Sequence, residues 1–436
     1  MTHVLGAELP AGWSAARLKD CTSFLNRGTP PNYADDGEVR AISQAVNQRD
    51  GLEWNKSRYH SCNGDPSRVR GYLHAGDTLV NSTGTGTLGR VGYFDSSPDD
   101  LPCMADGHVT VVRTRPDVLW PRFAYYWLTS APFQDLISSV LAVGATNQIE
   151  LSRERLSEAP VPLPPLEEQR RIADFLDVET VRADRLRAAR ERQLRLLSER
   201  ELSLIRAEIS GADTGRRREC ASLPWIGSIS SDWPIAPVYS HYDVQLGKML
   251  TADRAATGNL RPYLRNANVT WYSVDTSDLA VMDFPQHEYL QYRVLPGDLL
   301  VCEGGAGVAE SAVWRGGVEI FFQKSLHRVR SRGALPVEWL MYWLRLAKYC
   351  GLFASVGNVA TIPHLTREQL KELRIAVPPD ASKRVGRIED YRRSNVEMIR
   401  LLRKANLVLA ERRQALITAA VTGQIDVTTA GGVGVA

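Results

Sequence analysis

The sequence lacks the recognisable motifs of enzymes that work alone. It contains no Asn-Pro-Pro-Tyr or Asp-Pro-Pro-Tyr motif for amino methylation, no HExxH, no nucleophile elbow and no Walker A lysine. Asp106-Gly107-His108 resembles an acid–base cluster, but its counterpart near Gln323-Lys324-Ser325 shares none of these residues. The sequence therefore predicts a chain that is not itself an enzyme.

Paired cysteines, long apolar runs and a strong net charge are also absent. The six cysteines are scattered without CxxC spacing, which argues against a zinc site and for a reducing compartment. No apolar run reaches membrane-spanning length and the first residues carry no signal pattern, so we expect a cytoplasmic protein without a membrane partner. A net charge of +3 does not by itself indicate nucleic-acid binding.

Two long helical patterns are the most regular feature of the chain. Pro164-Pro165 is followed by a stretch rich in Glu, Arg, Leu and Ala that contains neither Pro nor Gly until Gly211. Val377-Pro378-Pro379 leads into a second stretch, free of Pro from about Ala381 to Thr422, that ends at Gly423. A helix of this length in a soluble protein needs a partner helix, and the chain supplies one.

Heptad spacing predicts that these helices pair as an antiparallel coiled coil. The apolar residues at the contacting heptad positions form a seam along each helix. In the second helix this seam is regular apart from Asn395, a polar residue that can fix the register. In the first helix Arg190 interrupts the seam. The predicted packing and docking residues are Leu176, Leu186, Leu197, Leu204, Ile388, Asn395, Leu402, Leu409 and Leu416. The alternative is a pair of surface helices that pack on separate cores.

An internal repeat defines the remaining organisation. Trp13 and Trp233 open the two copies, Gly76-Asp77 and Gly297-Asp298 each precede an apolar strand, and Pro121 and Pro336 each begin an amphipathic helix. Residues 147–156 and 358–370 supply a further match near the end of each copy.

The predicted fold class is α+β, with two mixed α/β domains in tandem and two long helices about a pseudo-two-fold axis. The predicted divisions are a first domain at 1–163, a first helix at 164–211, a second domain at 212–377, a second helix at 378–423 and a flexible tail at 424–436.

These features together resemble the specificity subunits of type I restriction–modification systems. The resemblance covers nearly the whole chain and is carried by Pro164-Pro165-Leu166-Glu167-Glu168-Gln169, by the repeated Gly-Asp strand start and by residues 261–269. It implies two target-recognition domains that each read half of a split DNA sequence, at a spacing set by the coiled coil. The second copy departs from the pattern, because Pro378-Pro379-Asp380-Ala381 lacks the Glu-Glu-Gln.

The resemblance also implies partners. They are double-stranded DNA, two methyltransferase subunits that carry S-adenosylmethionine, and in some systems restriction–translocation subunits, while this chain binds no cofactor and no metal. Two other functions remain open, a fused methyltransferase with an unrecognised motif and a coiled-coil scaffold that does not bind DNA.

Candidate DNA contacts are polar, aromatic and basic residues near turns, because Asn and Arg side chains can read adenine and guanine edges. They are Arg40, Gln44, Asn47, Arg68, Arg70, Asn81, Ser82, Thr83, Thr85, Thr87 and Arg90 in the first domain, and Arg265, Asn266, Asn268, Trp271, Lys324 and Arg328 in the second.

Two alternatives accompany the glycine-rich stretch of the first domain. Gly84, Gly86 and Gly89 match the GxGxxG pattern of dinucleotide-binding loops. That motif requires a helix directly after it, whereas the sequence here reads as a strand. A purely structural hairpin is the other alternative, and ordinary turns or solvated surface are the corresponding alternatives for the remaining candidates.

Overall fold

The chain divides into two compact units, each containing a globule and parts of two long helices. The first unit comprises Met1–Arg190 and Arg403–Ala436, and the second comprises Glu191–Leu402. The structure, a computed structural model, describes residues 3–49, 51–62, 64–84, 86–144, 149–249, 258–353 and 364–427. Residues 145–148 and 354–363 of the repeat, and 428–436 of the predicted tail, lie outside this range.

Two four-stranded sheets form the globule of the first unit. One is antiparallel, with the strands Val91–Phe94, Asp77–Asn81, Val109–Thr114 and Thr22–Arg27 in spatial order. The other has the order Cys103–Ala105, Val39–Ile42, Arg58–His60 and Tyr33–Ala34. Its first two strands are parallel.

The second unit repeats this arrangement with other residues. Its antiparallel sheet has the order Tyr242–Leu246, Leu326–Ser331, Leu299–Cys302 and Ser311–Val313. Its other sheet has the order Ala280–Asp283, Leu260–Leu264, Ile320–Phe322 and Arg293–Val294, and the middle two strands are parallel. The antiparallel sheets of the two units thus have the same strand order, and the other sheet of each unit contains one parallel pair of strands. This structural repeat corresponds to the repeat in the sequence.

Short helices and two-stranded ribbons complete the units. The short helices are Pro121–Thr129, Ala131–Leu136 continued by a π-helical turn at Ile137–Leu141, Arg153–Ser157, Val238–His241, Tyr289–Tyr292, Val337–Tyr349 and Arg367–Glu372. The ribbons are His3–Val4 with Ala7–Glu8, Ser14–Arg17 with Pro160–Leu163, Asn47–Gln48 with Gly51–Leu52, Ala142–Val143 with Glu150–Leu151, Arg217–Glu219 with Ser228–Ser230, Ile235–Pro237 with Arg374–Ala376, and Val269–Thr270 with Ser273–Val274.

The repeated Gly-Asp pairs have the same structural role in both units. Asp77 accepts a hydrogen bond from the His74 backbone at 2.8 Å and one from Arg113 Nε on the neighbouring strand at 2.8 Å. Asp298 accepts the equivalent bonds from the Leu295 backbone at 2.7 Å and from Arg330 Nε at 2.6 Å. A buried carboxylate needs such partners, so each aspartate ties its turn to the sheet.

The two long helices are Leu166–Ser210 and Ala381–Val421, close to the predicted bounds. Gly211 and Gly423 follow them with φ angles of 66° and 73°, the left-handed conformation that often ends a helix. Each glycine also lies against the start of its globule. A Cβ on Gly211 would meet the Trp233 ring at 2.8 Å, and one on Gly423 would meet Pro10 Cγ at 2.2 Å.

The long helices pack together in antiparallel fashion within each unit. In the second unit, Arg384 Nη1 lies 3.1 Å from Glu208, and Arg392 Nε lies 3.6 Å from Glu201. In the first unit, Arg190 Nη1 donates to the Ala405 carbonyl at 3.0 Å. The mixed α/β fold with paired long helices is thus confirmed, and the arginine that interrupts the seam forms a bond across it.

The exposure of the seam residues varies within each unit. Leu176 and Ile388 are fully buried, whereas Leu186 is 45% exposed. Partly buried seam residues are Leu197, Leu204, Asn395, Leu402, Leu409 and Leu416. Asn395 Nδ2 donates to the Tyr391 carbonyl of its own helix at 2.7 Å, rather than across the pair.

Each globule shares a hydrophobic core with the ends of the long helices in its unit. In the first unit, Phe123 and Trp127 pack in one cluster with Leu176 and Ile417. In the second, Trp339 belongs to a cluster with Ile205 and Ile388. Burial of these large side chains fixes each globule on its helix ends.

The described part of the chain has neither a membrane-spanning helix nor a metal-binding cluster. No helix there is both long and apolar enough to span a membrane. No group of three or more His, Cys, Asp or Glu residues there is placed to hold a metal ion. All six cysteines are unpaired.

Candidate nucleic-acid interface

The glycine-rich stretch is a hairpin loop between the strands Asp77–Asn81 and Val91–Phe94. Gly84, Gly86 and Gly89 have φ angles of 95°, 83° and 78°, a region that favours glycine. Because the strand at Val91 follows, no helix N-terminus is present to receive a pyrophosphate. The dinucleotide alternative is therefore wrong for this loop.

A neighbouring turn holds the hairpin in place. Asn47 and Asn81 are fully buried, and Asn47 Nδ2 donates to Asn81 Oδ1 at 2.9 Å and to the Leu79 carbonyl at 3.1 Å. Asn81 Nδ2 returns a bond to the Asn47 carbonyl at 3.2 Å. Ser82 is also fully buried and bonds Thr110. Asn47, Asn81 and Ser82 thus shape the loop and do not face a ligand.

The other described members of this loop are more accessible. Thr83 Oγ1 lies 2.8 Å from His108 Nδ1, and Thr87 Oγ1 donates to Gln44 Oε1 at 3.1 Å. Arg90 Nη2 donates to the Gly86 carbonyl at 3.0 Å, and its Nη1 donates to Gln48. Thr85 lies outside the described residues.

Arg40 is engaged inside the first globule. Its guanidinium bonds both carboxylate oxygens of Asp99, with Nη2 at 2.7 Å from Oδ2, and lies over the Tyr59 ring. The hydrogen bond from Arg40 lowers the pKa of Asp99. In contrast, Arg68 and Arg70 are exposed, and the Arg68 side chain is 87% accessible.

The corresponding candidates of the second unit also divide into internal and accessible groups. Asn268 is buried, and its Nδ2 donates to the carbonyls of Asp275 and Asp278 at 3.0 and 2.9 Å. Asn266 Nδ2 donates to the Gly304 carbonyl at 2.9 Å. Arg265 pairs with Asp278 at 2.5 Å.

The last three candidates have different environments. Arg328 is 4% exposed and donates to the carbonyls of Gln291 and Arg293, and burial lowers its pKa to about 10. It therefore stabilises the interior of the globule. Trp271 is half-buried beneath the Arg345 guanidinium, and Lys324 is exposed.

Some residues that the sequence analysis did not single out form direct hydrogen bonds to the candidate residues or their loop. Gln134 Nε2 donates to the Gly89 carbonyl at 3.0 Å, and Gln48 accepts from Arg90. In the second unit, Ser325 Oγ accepts from the Asn266 backbone at 3.1 Å. These contacts join residues that are far apart in sequence or belong to turns, so no spacing pattern reveals them.

Large apolar side chains are exposed along the long helices. They are Val178, Val181, Leu186, Leu196, Val396, Met398, Leu401, Leu407 and Val408. In the first unit a groove of about 620 Å³ lies between the helices and includes Phe175, Leu186 and Leu409. Met398 of the second long helix is 47% exposed.

Comparison with known proteins gives a consistent result. Residues 10–193 match the family model of the type I restriction modification DNA specificity domain. A Methanocaldococcus jannaschii protein assigned as the MjaX specificity subunit of a type I restriction enzyme is 21% identical over 97% of this chain and 96% of its own length. A Haemophilus influenzae protein assigned as the specificity subunit S.HindORF215P is 21% identical over 74% of this chain and 76% of its own.

A solved structure has the same overall fold. It comes from work on complex assembly and conformational transition of the type I restriction–modification system. The likeness covers 96% of this chain and all of that chain, with a TM-score of 0.67 and 17% identity.

Proposed function

We propose that this chain, which belongs to the family of type I restriction–modification specificity subunits, reads a bipartite and asymmetric sequence in double-stranded DNA. The observation that supports this most directly is the repeated sheet topology, because each unit offers one globule for one half of the target. The two globules have the same framework but different surface residues. An asymmetric target follows from that difference.

The hairpin loops illustrate the difference between the globules. In the first unit the loop carries Thr83, Thr87 and Arg90, which can donate to bases or phosphates. The equivalent loop of the second unit begins with Glu303, whose pKa is raised by burial. We propose that Thr83, Thr87, Arg90, Arg68 and Arg70 contact DNA in the first unit, and that Lys324, Arg265 and Trp271 do so in the second.

The long helices would fix the distance between the two half-sites. A paired helical rod resists bending better than a flexible linker, so the distance between the reading surfaces is preserved. The same helices would dock two methyltransferase subunits, because their exposed apolar side chains are costly in water and gain by burial against a partner. The methyl donor, S-adenosylmethionine, would bind those partners, and this chain would perform no catalysis.

Paired insertions in the helices test this proposal. Four extra residues are placed in each long helix at facing positions beside Arg190 and Ala405, which are in contact. Each insertion adds about 6 Å of helix, close to the length of two base pairs. We expect methylated sites mapped across the genome to keep both half-site sequences and to gain about two base pairs between them.

A substitution of four residues at the same positions, without a change in length, is the matched control. Altered half-sites with an unchanged spacer would contradict the proposal. Methyl transfer by the purified chain without a partner would contradict its non-catalytic part.

A further inference from the structure

A second groove of the first unit lies between the glycine-rich loop and the two long helices. Its volume is about 490 Å³. Gly86, Gly89 and Arg90 line one wall, and Asp184 and Arg413 of the long helices line the opposite wall. The groove therefore brings the loop proposed to face DNA next to the helices.

Arginines outnumber carboxylates in the lining of this groove. Four arginines line it, Arg49, Arg90, Arg187 and Arg413, against the two carboxylates of Asp135 and Asp184. Arg413 Nε lies 3.4 Å from Asp184 Oδ1, which compensates one of the four charges. Four arginines against two carboxylates leave an excess of positive charge in the lining, so an anion in the groove would be favoured.

Two of the arginines have no carboxylate partner among the described residues. Arg90 is held by neutral acceptors, the Gln48 amide and the Gly86 carbonyl, which orient its guanidinium without neutralising it. Its Nε is shielded from water and has no hydrogen-bond acceptor in the described part of the chain. Arg49 is exposed at the rim and forms no ion pair with any described residue.

The backbone of the loop indicates which phosphate compound fits. The N–H groups of Thr87 and Leu88 bond the Gly84 carbonyl, and that of Gly89 bonds the Asn81 carbonyl. They are therefore not directed at a ligand, as they would be in a nest that encloses a single free phosphate. Separated guanidinium groups on two walls suit a chain of phosphates instead.

We propose that this groove binds the phosphodiester backbone of DNA beside the half-site read by the first unit. The long helices then contribute to DNA affinity as well as to spacing. The inference rests on the proposed function, since it assumes that the first unit meets a duplex. Phosphate contacts add affinity but carry no base information, so their loss weakens all sequences alike.

Salt dependence of binding tests the groove. The double variant Arg49→Gln/Arg413→Gln and the single variant Arg49→Gln are prepared as full chains with methyltransferase partners. Each lost phosphate contact should reduce the slope of log affinity against log salt by about one. Between 50 and 200 mM salt, each replaced arginine should therefore make the loss of affinity about threefold to fourfold smaller. Preference for the cognate over an altered half-site should stay at its wild-type value.

The control is Arg393→Gln/Arg400→Gln, which removes equal charge from exposed positions of the second long helix. A salt slope equal to that of wild type, or a reduction matched by the control, would overturn the inference. Arg49 is exposed, so its single variant keeps the test valid if the double variant unfolds. Stoichiometric binding of inorganic phosphate to the wild-type complex, lost in the variants, would identify a small-anion site instead. Absence of sequence preference in the wild type would contradict the proposed function. The comparison of salt slopes between wild type and variants would still test whether the groove binds phosphates.

Discussion

At the residue scale, two glycines show how closely the strands of each globule approach one another. A Cβ on Gly28 would lie 1.8 Å from the Ala105 carbonyl oxygen, and one on Gly247 would lie 2.2 Å from the Gln323 carbonyl oxygen. Both glycines directly follow the outer strand of the antiparallel sheet, at Thr22–Arg27 and Tyr242–Leu246. Both copies of the repeat thus have a close backbone contact at this position, and only glycine leaves room for it.

Gly247→Ala should destabilise the second unit by about 2 to 3 kcal/mol, since overpacking against backbone forces strands apart. Gly333→Ala is the matched control, because a Cβ there meets no atom within 4 Å and its φ is ordinary. Urea denaturation of both variants measures the difference. Equal stability of the two would show that Gly247 does not constrain the sheet.

His327 should make the second unit sensitive to acid. It is fully buried on the strand Leu326–Ser331, its Nε2 lies 2.7 Å from the Leu365 carbonyl, and burial lowers its pKa to about 4 from 6.5. The unfolded chain therefore takes up the proton first. The stability that depends on neutral His327 is complete above about pH 6.5 and is lost as pH falls towards 4.

We expect wild type to lose on the order of 3 kcal/mol more stability than His327→Gln between pH 7 and 4. Denaturant midpoints at several pH values measure this. Parallel pH profiles for the two proteins would show that His327 does not carry the acid sensitivity.

The DNA-contact candidates show where residue-level reasoning stops. Asn and Arg suit base recognition, yet Asn47, Asn268 and Arg328 use their donors inside the globules. Residue type predicts hydrogen-bonding capacity, whereas the availability of a donor depends on long-range packing. A single sequence therefore shows which side chains can form hydrogen bonds, but not which of their donors are free to contact DNA.

At the element scale, a tyrosine and a carboxylate connect each globule to a long helix. Tyr126 donates to Asp177 at 2.5 Å, where Arg122 Nε also lies at 2.6 Å. In the second unit, Tyr342 donates to Glu389 at 2.5 Å, and the arginine is Arg392 of the long helix. These polar contacts lie beside the shared cores and add a second point of attachment.

Tyr126→Phe should cost about 1.5 to 3 kcal/mol, the value of a hydrogen bond to a charged group. Tyr125→Phe on the same helix is the control, since the Tyr125 hydroxyl has no hydrogen-bond partner among the described residues. Thermal or urea unfolding of both variants gives the comparison. A neutral Tyr126→Phe would show that the shared core alone holds the globule.

The long helices were predictable from sequence to within three residues, because proline, glycine and helix-forming residues mark both ends. The sheets were predictable only as short strands near turns. The parallel contact between Val39–Ile42 and Cys103–Ala105 joins strands about 60 residues apart, and no local pattern specifies it.

At the scale of the whole molecule, the exposed apolar side chains of the long helices should matter to assembly and not to folding. Val178→Gln/Leu407→Gln removes two side chains that are each 67% exposed. On the proposed docking of a methyltransferase subunit against these side chains, their loss should weaken that association at least tenfold, with an unchanged melting temperature. Lys404→Gln, an exposed neighbour, is the control in a pull-down titration. Wild-type affinity in the double variant would place the docking surface elsewhere.

The glycines that end the long helices lie at equivalent junctions, so that globules and helices alternate around a closed cycle. Gly211 lies against Trp233 at the entrance to the second globule, just as Gly423 lies against Pro10 and Trp13 at the entrance to the first. Both places are junctions where one helix finishes and one globule starts. A gene rearranged to open at the Gly211 junction, with a short peptide closing the Gly423 junction, would encode the same two units from a different starting point.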